Sequence, residues 1–321
     1  MIANNARILV IGAGVNGSVC AASLCRAGVQ VTVLARGRRY EELRNEGILI
    51  ENSLTHERST TKVPVIKALE PDDIYDYILV IIRQDQMAGL VPILAKNRSS
   101  NIVFMANNLL GAEAYAAIET ERIMLGFVFA GGNSEGSVVH AISGVGGVIG
   151  ALFGVTPFGE IDDAITERLK RLVAIFRQAG LNAKVSTHVA DYLATHAGFV
   201  TLMTGLAIKY GADMPSLARA RADLELLVDA LREMLKVFLP ALGYQVTPAK
   251  FRIIPVVPRF LMVAALGAFI GSDLMKLGMA DWSMSQARDE WFYLGKEFER
   301  LVEKNGLAVP AIRKLLAYYR K

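Results

Sequence analysis

Cysteine is nearly absent from this 321-residue chain, with only Cys20 and Cys25 present. They stand five positions apart on a segment with helical spacing, where their side chains diverge. No disulfide between them is expected, which fits a reducing, cytoplasmic compartment. Histidine is scarce too, at four residues, and no His/Cys/Asp grouping has metal-ligand spacing, so no metal is expected. A decisive excess of charge is missing. Thirty-five Lys and Arg against 31 Asp and Glu give +4, and a pI near 9 without a basic stripe or interleaved aromatics leaves nucleic-acid binding a distant third reading. Long hydrophobic runs are also lacking. The longest, Phe260 to Gly271, has 12 residues, whereas a membrane span needs about 20, so it is expected to be a buried core helix. The N-terminal MIANNARILVIG has no basic region, apolar stretch and cleavage site of the kind a secretion signal needs.

What is abundant is aliphatic residues. Hydrophobic positions make up 53% of the chain and the mean hydropathy is +0.35. Parallel strands buried on both faces account for such a value, because they read as unbroken Val/Ile/Leu runs. The first half alternates such runs with helical patterns. Strands are expected at Arg7–Ile11, Val29–Leu34, Gly47–Glu51, Lys62–Ala68, Asp76–Ile82, Asn101–Met105, Ile123–Phe129, Ser137–Ile142 and Gly146–Leu152. Helices are expected at Asn16–Ala27, Tyr40–Asn45, Gln86–Lys96 and Asp162–Ala179. This order implies an α/β fold with a doubly wound sheet. After the short extended connector Asn182–Ser186 strand signals nearly vanish. Val189–Lys209, Met214–Leu242, Pro258–Leu277 and Ser285–Asn305 all carry helical periodicity. The expected organisation is a nucleotide-binding domain over residues 1–184 and an all-α domain over 185–321.

The most informative motif is Gly12-Ala13-Gly14-Val15-Asn16-Gly17. It follows a buried strand and opens a helix, the context in which G-x-G-x-x-G binds a dinucleotide. Gly12 permits the tight turn, Gly14 the approach of a pyrophosphate, and Gly17 close packing of helix on strand. The helix N-terminus adds its free N–H groups and dipole. Where an NAD site places Asp or Glu at the end of the second strand, this chain has Leu34-Ala35-Arg36-Gly37-Arg38-Arg39. Guanidinium binds phosphate bidentately, so the expected cofactor is NADP, held at its 2′-phosphate by Arg36 with Arg38 or Arg39 in support. Arg83 and Asn107 follow the ends of two further strands, where an α/β sheet binds ligands. Either residue fits a cofactor contact or a helix cap, and Asn108 is an alternative cap.

These residues together resemble the ketopantoate reductase (2-dehydropantoate 2-reductase) family over almost the whole chain. Beyond the glycine motif and the Arg36 loop, Arg83-Gln84-Asp85-Gln86 is similar to the family's K-x-x-Q, with Arg for Lys. Ala106-Asn107-Asn108-Leu109 is similar to its Q-N-G-L. Gly136 to Gly144 resembles its G-x-V-x-H segment. Asp289-Glu290, 20 residues before Pro310 in Asn305-Gly306-Leu307-Ala308-Val309-Pro310, resembles its T-E followed by H-G-I-A-T-P. The resemblance implies a Rossmann-type domain followed by a helical one, with NADPH-dependent reduction of a 2-oxo acid in the cleft between them. It implies cofactor contacts from Gly12, Ala13, Gly14, Val15, Asn16, Gly17, Arg36, Arg83, Gln86, Asn107, Gly131 and Glu290. Catalytic roles fall to Asn107 and Glu290.

The chain departs from the family at its W-x-K-x-x-x-N stretch, which falls on Tyr192 to Gly198. Ala194 then stands for the lysine that delivers the proton and Gly198 for a substrate-binding Asn. The family's substrate-binding Ser falls on or near Gly278, with Ser272, Ser283 and Ser285 close by. Lys209 is 15 positions beyond Ala194, about 22 Å along one helix. His196, a reasonable acid near neutral pH, is the remaining candidate donor besides water, and it also reads as a packed helix histidine. The expected function is therefore an NADPH-dependent reductase of a small 2-oxo acid or related carbonyl. The alternative is an NADPH-binding sensor or inactive homologue of the same fold. A small carbonyl substrate is the expected partner, with no nucleic acid and no membrane, and the helical half offers a place for homodimer contacts.

Overall fold

A computed structural model of the chain describes residues 5–127, 131–142, 155–272, 275 and 284–320. The expected strand at Gly146–Leu152 lies outside them, as do Gly278 and Ser283. The described residues divide into two compact units. The first comprises Met1–Ala106 and Ala112–Val189, the second Asn107–Gly111 and Ala190–Lys321.

Unit 1 is built on an eight-stranded sheet. Its strands are β1 (Arg7–Ile11), β2 (Gln30–Leu34), β5 (Val65–Ile66), β6 (Tyr77–Val80), β7 (Ile102–Phe104), β8 (Ile123–Gly126), β11 (Thr156–Glu160) and β12 (Ala183–Val185). They lie in the order β12-β11-β8-β7-β6-β1-β2-β5. All neighbours are parallel except β11 against β8. Every residue of β6, β7 and β8 is buried, which is where the high hydropathy goes. Helices α1 (Val15–Arg26), α2 (Gly37–Asn45), α3 (Met87–Lys96) and α4 (Glu167–Gln178) connect the strands. In α4, Thr166 caps the first turn by accepting from the Leu169 N–H, and Leu169, Leu172, Val173 and Phe176 form its buried stripe. The buried Glu160 carboxylate at the end of β11 accepts from Arg168 Nε at 2.8 Å, and also from Arg168 Nη2 and the Thr166 hydroxyl.

One sheet was expected in this half, but the structure contains two. The strands β3 (Ile48–Asn52), β4 (Arg58–Thr61), β9 (Gly131–Glu135) and β10 (Val138–Ile142) form a separate sheet, ordered β4-β3-β10-β9, that packs on α1. Strands β4, β9 and β11 carried no sequence signal strong enough to be expected. The first two, RSTT and GGNSE, lack an apolar alternation, and β11 (TPFGE) combines Pro and Gly, which read as turn residues.

Unit 2 is helical. Its main helices are α5 (Val189–Lys209), α6 (Met214–Arg219), α7 (Arg221–Glu233), α8 (Arg259–Ile270), α9 (Met284–Lys304) and α10 (Pro310–Leu316). The single helix expected from Met214 to Leu242 is interrupted twice. Asp213 caps α6 by accepting from Ser216 N–H at 3.0 Å, and Ala220, at ψ 77°, leaves the helical region before α7 restarts. A π turn at Met234–Phe238 then precedes Pro240, whose ring and missing N–H forbid an ordinary turn with residue 236. The expectation of a buried core helix at Phe260–Gly271 is wrong. Helix α8 buries only Leu266 and Ile270, while Phe260 is 65% and Leu261 49% exposed. Its apolar residues surround the axis, so periodicity carried no orientation, and the helix packs against α6 and α7 through one side.

Helix α10 begins at Pro310 and its first turn is capped from a distance. The Glu233 carboxylate accepts the Ala311 N–H at 3.0 Å and the Ile312 N–H at 2.9 Å. Removing that acceptor leaves two helix-end donors without partners. Glu233→Ala is expected to lower the unfolding free energy by about 1–3 kcal/mol, and Glu233→Gln by less, as measured by chemical denaturation.

Candidate functional site

The glycine motif forms the turn between β1 and α1, and its three glycines meet different surroundings. Gly12 has φ 106°, and a Cβ there would stand 2.1 Å from the Ile81 carbonyl oxygen. A Cβ on Gly17 would stand 1.8 Å from the Gly12 carbonyl oxygen. Both positions are closed to any side chain by backbone. At Gly14 a Cβ would meet nothing within 4 Å. Gly14 is the N-cap of α1, makes no side-chain cap bond, and the first turn holds no acidic residue. The loop therefore presents bare backbone at a helix N-terminus on the side where Gly14 faces open space, the arrangement that receives a phosphate. Ala13, Val15 and Asn16 complete the turn.

The three arginines after β2 separate. Arg36 is the N-cap of α2 and is exposed. Arg38 pairs with Glu42 at 3.0 Å on the surface. Arg39 turns back towards the glycine loop, where its Nε donates to the Ala13 carbonyl at 3.1 Å.

At the end of β6, Arg83 is held by Asp85 in a two-pronged ion pair, Nε to Oδ1 and Nη2 to Oδ2, both at 3.0 Å. Gln86, the residue the resemblance selects, is exposed. Its neighbour Gln84 is only 5% exposed, and its Oε1 is buried with no hydrogen-bond partner among the described residues. Gln84 was missed. The stretch holds two glutamines, and the motif pointed to the second. Gly131 opens β9 in the smaller sheet, opposite Ile142.

Asn107 and Asn108, which the sequence left interchangeable, have different tasks. Asn108 closes the turn that carries both: its Nδ2 donates to the Gly111 carbonyl at 2.7 Å and its Oδ1 accepts the Leu110 N–H at 2.7 Å. Asn107 Nδ2 donates to Glu290 Oε1 on α9 at 3.3 Å, across 183 residues of sequence. A carboxylate only accepts, so this bond orients the Asn107 carboxamide. It leaves Oδ1 buried with no partner among the described residues, a site for a ligand N–H or O–H. Asn107–Gly111 and Glu290 both belong to unit 2.

The start of α5 is tied to this turn through residues 244–247. Tyr244 OH donates to the Leu109 carbonyl at 3.4 Å, Gln245 N–H to Asp191 Oδ1 at 3.1 Å, and Thr247 N–H to Thr195 Oγ1 at 3.3 Å. Ala194 is 1% exposed within the helical core, and a Cβ on Gly198 would meet Met234 Sδ at 2.6 Å. Both positions face the protein interior. The spacing of the family's Lys and Asn recurs on the half-buried side of α5 as Tyr192 and His196, whose rings stack 6.1 Å apart at 4°. Burial pushes the His196 pKa down to about 4 and the Tyr192 phenol up to about 12. His196 is thus neutral at pH 7. Lys209, at the far end of α5, is held by both Asp223 oxygens at 2.6 and 2.7 Å.

Residues 8–152 match the family model described as ketopantoate reductase PanE/ApbA. No curated protein matches the chain in sequence. Among solved structures, the chain is similar to a D-mandelate dehydrogenase with NADH and anilino(oxo)acetate, at 17% identity and a TM-score of 0.77, covering 98% of this chain and 97% of that one. It is similar to 2-dehydropantoate 2-reductase from Geobacter metallireducens at 20% identity and a TM-score of 0.75, covering 98% and 99%. A PanE/ApbA family ketopantoate reductase from Ralstonia eutropha matches at 19% identity and a TM-score of 0.72, covering 98% and 97%. At these identities what is shared is the fold.

Two results are expected from this geometry. Gly14→Ala leaves the melting temperature unchanged but weakens binding of an added dinucleotide, whereas Gly17→Ala, forced against backbone, costs at least about 1–3 kcal/mol of stability. For His196, the folded pKa of about 4 lies below the ordinary 6.5, so the unfolded chain takes up the proton first. Unfolding free energy should fall as the pH drops from about 6.5 towards 4, and His196→Gln should flatten that slope in pH-dependent denaturation.

Proposed function

We propose, from an N-terminal region that carries a ketopantoate reductase family domain, that the chain is a nicotinamide-dependent reductase of a small 2-oxo acid or related carbonyl, with NADPH as its reductant. The observation that carries this reading is the Asn107 carboxamide. It is oriented by Glu290 yet keeps a buried, unpartnered oxygen, an arrangement a purely structural asparagine does not need. The open face at Gly14 supports the dinucleotide half of the reading, since no described residue lies within 4 Å of a Cβ placed there.

In this reading the α1 N-terminus receives the pyrophosphate, and Arg36 at the head of α2 receives the 2′-phosphate. No carboxylate stands between Leu34 and Arg39 to prefer a free 2′-hydroxyl. The Gln84 and Asn107 side-chain oxygens accept from N–H or O–H groups of cofactor or substrate. When bound, the reduced nicotinamide supplies a hydride to the carbonyl carbon. The carbonyl oxygen then needs a proton, which we assign to a water beside His196 on the half-buried side of α5. Neutral His196 serves there as a hydrogen-bond donor rather than as a cationic acid. Glu290 holds the Asn107 carboxamide and contacts a substrate hydroxyl or the cofactor ribose.

The sensor reading is favoured by one observation. The only lysine of α5, Lys209, is bound to Asp223, and Ala194 and Gly198 face the interior. NADPH oxidation followed by absorbance across a panel of 2-oxo acids, ketopantoate included, separates the two. The reductase reading expects turnover with at least one of them, and proven NADPH binding with no turnover would favour the sensor. His196→Ala is expected to lower kcat about a hundredfold or more, and full retention would remove His196 from that proton transfer. Arg36→Ala is expected to abolish the preference for NADPH over NADH, and an unchanged preference would reject the 2′-phosphate assignment.

A further inference from the structure

We infer that Arg39 is the positioning residue of the glycine loop. It holds the Ala13–Gly14 peptide so that its N–H side faces the incoming pyrophosphate, and it does so equally for NADPH and NADH. This rests on the dinucleotide reading above.

Arg39 stands three residues after Arg36, on α2, with its side chain only 20% exposed. Its guanidinium serves four acceptors at once. Nε donates to the Ala13 carbonyl at 3.1 Å, Nη2 to Ser18 Oγ at 3.2 Å, and Nη1 to the Ser137 carbonyl at 2.9 Å and to Glu42 Oε2 at 3.1 Å. Ser18 Oγ in turn donates to the same Ala13 carbonyl at 3.1 Å. One loop carbonyl therefore takes two donors, and the guanidinium joins the loop, the first turn of α1, α2 and the turn between β9 and β10.

The consequence follows from the planarity of the peptide. The C=O of Ala13 and the N–H of Gly14 belong to one trans peptide and point in opposite directions. A clamp on the carbonyl therefore aims the N–H away from Arg39, and a Cβ on Gly14 would meet no described atom within 4 Å, so this peptide borders open space. The loop cannot supply this restraint itself, because its glycines leave the backbone permissive. A lysine could not replace the clamp, since a single ammonium does not present a planar fork to acceptors in several directions. The arginines of the Arg36–Arg39 stretch thus divide the work. Arg36 is available to distinguish the two cofactors, and Arg39 orders the part of the site that meets what they share.

The test is binding of NADPH, NADH and 2′-AMP to the full-length chain, with Arg39→Met and Arg39→Lys beside the wild type. 2′-AMP carries the 2′-phosphate without the pyrophosphate. Both variants are expected to weaken NADPH and NADH about tenfold to a hundredfold, with their ratio and the 2′-AMP affinity unchanged. Should Arg39→Met not fold, Ser18→Ala removes the other donor to Ala13 and is expected to weaken both cofactors by a smaller, equal factor. Loss of NADPH and 2′-AMP binding with NADH unaffected would mean that Arg39 contacts the 2′-phosphate directly, and would overturn the inference. Unaltered binding of all three would overturn it as well, while leaving the dinucleotide reading intact. A wild type that binds neither NADPH nor NADH would overturn both.

Discussion

Two backbone contacts that admit no side chain organise the N-terminal unit. Gly12 lies so close to the Ile81 carbonyl, and Gly17 to the Gly12 carbonyl, that the end of β6, the loop and the first turn of α1 can occupy their places only if both residues lack a Cβ. From that packing the rest follows. Helix α1 is held against β1 and β2, its outer side receives the smaller sheet, and its N-terminus opens where Gly14 has no neighbour. Arg39 then braces the loop from behind through the Ala13 carbonyl. The loop combines a close-packed face with an open one, and that asymmetry argues for a ligand more strongly than the spacing of the glycines does.

The second organising feature is polar. Asn107–Gly111 falls between strands of unit 1 in sequence but clusters with the helical unit. Asn108 closes the turn internally, Tyr244 bonds to Leu109, and Asn107 reaches Glu290 on α9. Leaving Oδ1 of an otherwise fixed carboxamide buried and unpartnered costs stability, about 1–3 kcal/mol by the usual desolvation penalty. A binding site recovers that cost when a ligand donor arrives. The same segment that touches Leu109 also holds Asp191 and Thr195, the neighbours of Tyr192 and His196. The turn and the first two turns of α5 are therefore parts of one hydrogen-bonded arrangement.

Much of the fold was legible because its strongest signals are local. β1 and α5 fall on their expected residues, and most other expected elements differ by a few positions, since doubly buried strands and amphipathic helices write themselves into the sequence. The smaller sheet was not legible as a separate layer, because β4 and β9 are polar and glycine-rich and their pairing is non-local. The orientation of α8 was hidden because apolar residues surround its axis. Of the candidate site, the glycine turn and the polar residue after β7 were readable from context, while the burial of Gln84 was not, because it depends on packing that no motif records. The resemblance places the family's Lys and Asn at Ala194 and Gly198, and both positions face the interior. A spacing of four residues fits either side of a helix, and the same spacing recurs at Tyr192 and His196 on the half-buried side.

In the proposed reading, Asn107 is held ready for the substrate of a dinucleotide-dependent reduction. The test is isothermal titration of the NADP+-loaded chain, which has no hydride to give, with a 2-oxo acid that the chain reduces with NADPH, compared between the wild type and Asn107→Ala. Asn107→Ala is expected to keep its cofactor affinity but to lose at least about tenfold in affinity for the 2-oxo acid. Equal 2-oxo acid affinity in the two proteins would contradict that reading.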